Sequence, residues 1–116
     1  MSIERINVAE RLSGATVYNG VVYLSGQVPD DRTQNCYGQT VQVLEKIDRL
    51  LSLSGSDKSK ILSAQIWLKD IKSDFAALNE AWVKWLPESC APARATIESN
   101  LASADVLVEI MVIAAQ

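Results

Sequence analysis

Two ionisable residues, Arg94 and Glu109, stand fifteen positions apart and have the right types to act together. Glu109 is the one charge in the apolar run Val106-Leu107-Val108-Glu109-Ile110-Met111-Val112-Ile113. An ionised carboxylate in such surroundings is costly unless it is paired or well hydrogen-bonded, so a partner is expected. Arg94, on the neighbouring predicted strand, is the obvious one. A guanidinium offers a planar fork of donors suited to a carboxylate, a geometry that lysine does not reproduce. Two readings follow. The pair is either a structural ion pair across strands or subunits, or a carboxylate anchor beside a proton-handling group, and both fit the residues.

The other side chains narrow the chemistry. None of the 116 residues is histidine, which removes Ser-His-Asp and Cys-His nucleophile systems, imidazole zinc sites and any histidine base. The two cysteines, Cys36 and Cys90, cannot close a structural zinc site or build a disulfide framework, and read as inert thiols in a reducing cytoplasm. Eleven basic against fourteen acidic residues give a net charge of -3 and no basic stripe, which makes nucleic acid an unlikely partner. Lys58 and Lys60, the nearest thing to a basic cluster, read as a solvated turn. The N-terminus lacks a signal-peptide pattern and no stretch reaches the roughly 20 apolar residues of a membrane span. A cytoplasmic protein is expected.

Those residues must be positioned by one domain spanning residues 1–116, because the length leaves little room for a second core. Hydrophobic residues at 48% and charged residues at 22% are the balance of a globular chain. A domain of this size buries only about two-thirds of the surface of its unfolded chain, so self-association is a natural supplement. Asn19-Gly20 between two β-rich runs predicts a hairpin with strands near 14–18 and 21–27. Apolar residues at 41, 44, 47, 50 and 51, with Val43 beside them, predict a helix of about five turns capped at Gly55. Residues 61–68 read as a strand. Phe75, Leu78, Trp82 and Trp85 form a helical core stripe that Ser73 caps and Pro87 ends.

Strands are predicted at 93–98 and 106–115, giving the order hairpin, helix, strand, helix, strand, strand. Together these predict an α+β layer, with two helices on one face of a mixed sheet and a hairpin at each end. The last strand is apolar on both faces. Two helices cover one side only, so the other side should meet another subunit.

Several local patterns combine into a resemblance. Ser25-Gly26-Gln27-Val28-Pro29 after an apolar strand, Leu68-Lys69-Asp70 before a helix with Asp74-Phe75-Ala76 and Asn79, then Pro92-Ala93-Arg94 and Val106-Leu107-Val108-Glu109-Ile110, resemble the Rid (RidA/YjgF, reactive intermediate deaminase) family over nearly the whole chain. Gly55-Ser56-Asp57-Lys58-Ser59 and Asn79-Glu80-Ala81-Trp82-Val83-Lys84-Trp85 resemble its YoaB-type branch.

The resemblance implies a chorismate-mutase-like fold assembled as a homotrimer with clefts at the subunit interfaces. It implies hydrolysis of reactive 2-imino or enamine acids to 2-oxo acids and ammonia, with no cofactor and no metal. Arg94 would hold the substrate carboxylate and Glu109 would place or activate water, with Ser25, Gly26 and Thr96 as further substrate contacts. Two positions depart from the family pattern: Thr96 stands where typical members carry cysteine, and Leu12 where they carry tyrosine.

Three functions are consistent with these residues. The first is an imine/enamine deaminase. The second is a non-catalytic trimer that binds small 2-imino or 2-oxo carboxylic acids through Arg94 as a sensor or regulator. The third is a ribonuclease or translation inhibitor, a label carried in this family, against which the acidic charge and the missing histidine both count.

Overall fold

The computed structural model describes residues 2–116. Asn19 and Gly20 adopt φ of 54° and 73°, the left-handed pair whose twist suits a two-residue hairpin, and they join β2 (Ser13–Tyr18) to β3 (Val21–Leu24). Beyond Leu24 the predicted strand reduces to a single bridge from Gln27 to Ile110. An additional strand, β1 (Glu4–Val8), pairs antiparallel with β2 along the sheet edge. It is absent from the sequence reading because Glu-Arg-Ile-Asn-Val is exposed except for half-buried Ile6, which leaves no alternation to detect.

The first helix, α1 (Cys36–Leu53), starts at Asn35, whose side chain accepts from the Gly38 amide, and ends just before Gly55 at φ 78°. Val43, Leu44, Ile47, Leu50 and Leu51 are buried, whereas Val41, assigned to the same face by periodicity, lies on its exposed flank. Strand β4 (Ile61–Leu68), helix α2 (Ile71–Trp85) and strand β5 (Ala93–Glu98) form a crossover that sets β4 and β5 parallel. The cap of α2 is Asp70 and not Ser73: the Asp70 carboxylate accepts from the Ser73 amide and hydroxyl. Strand β6 (Val108–Ala115) then returns antiparallel between β3 and β4.

The sheet order is β1-β2-β3-β6-β4-β5. The expected terminal hairpin is not formed. The most apolar strand, β6, takes a central place and β5 is pushed to the edge, so β4 separates Arg94 from Glu109. Both helices pack on one face, against Val22, Leu24, Ala64, Ile66, Leu68, Val108, Ile110 and Val112. The opposite face carries an in-register row running Arg5, Thr16, Tyr23, Ile113, Ser63, Ala93, with Trp67 beside Glu109 further along. Within one chain this face is uncovered, and Tyr23, Ile97 and Met111 are exposed on it. No helix among the described residues is long and apolar enough to cross a membrane.

Candidate functional site

Arg94 lies in parallel register with Ala64, a buried core residue, so its side chain leaves the sheet on the helix-covered side. Phe75 and Trp82, two turns apart on α2, lie close to the same face of that helix. The Arg94 Cζ sits 6.0 Å from the Phe75 ring centroid and 5.7 Å from that of Trp82. Stacking on two rings gives the guanidinium a fixed platform worth about 0.5–2 kcal/mol per contact. Phe75 is therefore not a core residue: at 42% exposure it forms the outer part of this platform, while Leu78 and Trp82 alone of the predicted stripe are fully in the core. Trp85 is half-buried and donates from Nε1 to Asp48 at 3.0 Å.

No carboxylate pairs with Arg94 among the described residues. Among the described residues the ion pairs are Arg32–Asp105, Lys46–Asp30 and Lys84–Glu80, and none involves the Arg94 guanidinium. Burial lowers its pKa from the ordinary arginine value. Thr96, two residues on and on the same side, carries a buried Oγ1 without a hydrogen-bond partner. This edge of the sheet thus carries a half-buried cation without a paired carboxylate and a hydroxyl without a hydrogen-bond partner among the described residues.

Glu109 belongs to the other face. It stands directly opposite Trp67 of β4, and its carboxylate lies against the bare Cα of Gly26. The expected Arg94–Glu109 pair does not exist within one chain, because the two side chains project from opposite faces and a strand intervenes. Burial alone pushes the Glu109 carboxyl above its ordinary range, with no neighbouring charge acting on it.

The segment facing Glu109 is well anchored. Ser25 Oγ donates to the Gly14 carbonyl at 3.2 Å and accepts from Gln27 Nε2 at 3.0 Å. Gln27 exchanges backbone hydrogen bonds with Ile110 at 2.8 and 3.1 Å. A cavity of about 370 Å³ opens beside Ser25, Gly26 and Gln27, and exposed Leu12 forms part of its wall.

The predicted site residues therefore fall into two groups. Gly26 lies against Glu109 with Ser25 next to it in the chain, Arg94 and Thr96 share the helix-covered side of β5, and the two groups are not joined within the chain. Phe75 and Trp67 were missed as neighbours of the charged residues. The Phe75–Trp82 spacing was visible but indistinguishable from a core stripe, and the Trp67–Glu109 pairing depends on a register that no local motif encodes. Cys36 is buried and its thiol is pushed up to about 11 by that burial, in keeping with an inert residue. No cluster of three or more metal-ligating side chains occurs among the described residues.

A fold with this arrangement has close relatives. A family model described as Endoribonuclease L-PSP matches residues 2–116. A RutC family protein of Haemophilus influenzae is 48% identical over 115 residues, which covers 98% of each chain. RutC family protein YoaB of Escherichia coli is 40% identical over 115 residues, covering 99% of each. The crystal structure of NMB1025, a member of the YjgF protein family from Neisseria meningitidis, matches with a TM-score of 0.96 at 39% identity, covering 100% of this chain and 96% of that one. The resemblance read from Ser25-Gly26, Pro92-Ala93-Arg94 and Val108-Glu109-Ile110 is thus borne out from end to end, and the chain belongs to the RutC/YjgF/Rid family as a YoaB-like member.

Proposed function

We propose that the protein is a cytoplasmic 2-imino acid or enamine deaminase, which hydrolyses reactive imino acids to 2-oxo acids and ammonia. The observation that carries this reading is the Arg94 guanidinium, half-buried over the rings of Phe75 and Trp82 and paired with no carboxylate among the described residues. A cation held that way is suited to a bidentate carboxylate from a ligand. Thr96 Oγ1 adds a second unsatisfied polar atom on the same side.

An imine carbon is already electrophilic, so the protein must supply position and protons and no further activation. Water adds across the C=N bond, its oxygen to carbon and one of its protons to nitrogen; the hydroxyl proton of the resulting carbinolamine then passes to nitrogen as the C–N bond breaks, releasing ammonia and leaving the 2-oxo acid. Glu109, desolvated against Gly26 and opposite Trp67, is suited to hold and move that proton. Because Arg94 and Glu109 leave opposite faces of the sheet, one substrate meets both only where two copies adjoin. A homotrimer with clefts between subunits satisfies this, and it would also cover the open face bearing Tyr23, Ile97 and Met111.

A second reading, a non-catalytic trimer binding small 2-oxo carboxylates through the same arginine, draws support from exposed Leu12 beside Ser25, which offers no hydrogen bond to substrate. The decisive assay generates imino acids in situ with an amino-acid oxidase and follows 2-oxo acid and ammonia release. Acceleration by wild type and not by Arg94→Ala is expected. Absence of acceleration across small, aliphatic and basic imino acids, with carboxylate binding retained, would leave the binding protein.

A further inference from the structure

We propose that Gly26 is a positioning residue for Glu109, its missing side chain being the space in which the Glu109 carboxylate is held. The backbone does not demand glycine here: the positive-φ glycines are Gly20 and Gly55, and Gly26 is not among them. What demands it is proximity. A methyl group built on Gly26 would overlap Oε2 of Glu109 and stand 3.1 Å from its Cδ and 3.4 Å from its Cγ.

The backbone cannot retreat to make room. Ser25 N–H donates to Gly14 at 2.9 Å on one side, and Gln27 is bonded both ways to Ile110 on the other. The overlapped atoms are the end of a flexible side chain, so an added methyl would displace the carboxylate and leave the sheet in place. Trp67 closes the cross-strand side. The charged residues of the 370 Å³ cavity, Lys46 and Arg49 of α1, belong to the helix-covered side of the sheet, whereas Glu109 faces the open side. Lys46 is engaged by Asp30 and the Val28 carbonyl, and Arg94 is on the other face of the sheet. With no counter-ion on Glu109 among the described residues, the degree to which it is desolvated follows from how it is seated.

The catalytic consequence rests on the imine-hydrolysis reading, whereas the seating does not, and the experiment separates them. Gly26→Ala is compared with wild type by carbon NMR titration of the Glu109 carboxyl and by imine hydrolysis. The expected result is a folded variant in which the Glu109 titration moves towards the ordinary glutamate value by roughly half a pH unit or more. With it, kcat should fall roughly tenfold or more while KM stays within about twofold. Gly26→Ala should then cost nothing further in a Glu109→Ala background.

An unchanged titration in a folded Gly26→Ala protein overturns the proposal, as does an equal loss of kcat in the Glu109→Ala background. Should Gly26→Ala fail to fold, recovery of folding in the double variant G26A/E109A supports the seat, and continued misfolding overturns it. A wild type inactive on imines would defeat the functional reading alone, leaving the titration to decide the seat.

Discussion

The Arg94 edge and the Glu109 seat are made from the same sheet by different means. At β5 a cation lies on the helix-covered side, where aromatic rings from α2 hold it without neutralising it. On β6 a carboxylate lies on the open side, between Trp67 and the bare Cα of Gly26, and no cation among the described residues pairs with it. A structural ion pair would have brought the two together, since leaving either charge half-buried and unpaired costs stability. Their separation leaves each charge without the other within one chain, which is what the proposed reading uses: the cation for a ligand carboxylate and the carboxyl for a proton.

The comparison is broken most directly by Arg94→Ala. If the guanidinium serves ligand and not fold, kcat/KM for imino acids and affinity for 2-oxobutanoate should fall by roughly a hundredfold or more. Thermal unfolding should change by no more than about 1–2 kcal/mol, the lost stacking on Phe75 and Trp82. A destabilisation of several kcal/mol, measured by denaturant titration, would instead reveal a buried structural pair. Arg94→Lys should restore the melting temperature better than the affinity, because an ammonium lacks the planar fork.

A larger effect on stability than on chemistry is expected at Gln39. This buried amide accepts from the Leu107 amide at 2.8 Å and donates to the carbonyls of Asp105 and Gln34 at 3.0 and 3.1 Å, tying α1 to the segment that leads into β6. Gln39→Leu should cost about 2–3 kcal/mol in urea unfolding, by stranding buried backbone groups. If its effect on kcat exceeds its effect on KM, the Glu109 side is the one disturbed. Asp70→Ala acts on the opposite region, through the α2 cap, and should cost about 1 kcal/mol. Its effect should fall on KM, since α2 carries the platform under Arg94.

The smallest effect sharpens the Glu109 side. Its raised pKa means that the folded state binds this proton more tightly than the unfolded chain does. The resulting stabilisation is fully present below the ordinary glutamate pKa and is lost as pH rises through the raised value. Glu109→Gln should therefore be more stable than wild type near neutral pH, with the difference shrinking as the pH is lowered through the wild-type titration. Urea midpoints measured across that range check the sign, and a difference that grew on acidification would contradict it.

Much of the architecture was legible locally. Asn19-Gly20 closes its hairpin because both residues tolerate positive φ, and the apolar periodicity of α1 and the Leu78–Trp82 face of α2 place the helices on their core. Arg94 and Glu109 stood out by type and spacing, whereas Ser25, Gly26 and Thr96 came only from the family resemblance. The edge strand β1 escaped because hydrogen bonding, not burial, holds it. Phe75 was misassigned because a helical stripe shows which residues share a face, and not where that face leaves the core.

What tertiary structure decided is which charges meet. Chain proximity and predicted strand order put Arg94 next to Glu109, yet strand order within a sheet is set by burial of whole strands. The doubly apolar β6 occupies the centre between β3 and β4, and the parallel crossover carries β5 to the edge. Alternation along each strand then sends the two side chains to opposite faces. Composition and spacing determine which elements form and which residues are chemically able; pairing order and register, fixed by long-range packing, determine that Arg94 lies over Phe75 and Trp82 while Glu109 lies against Gly26.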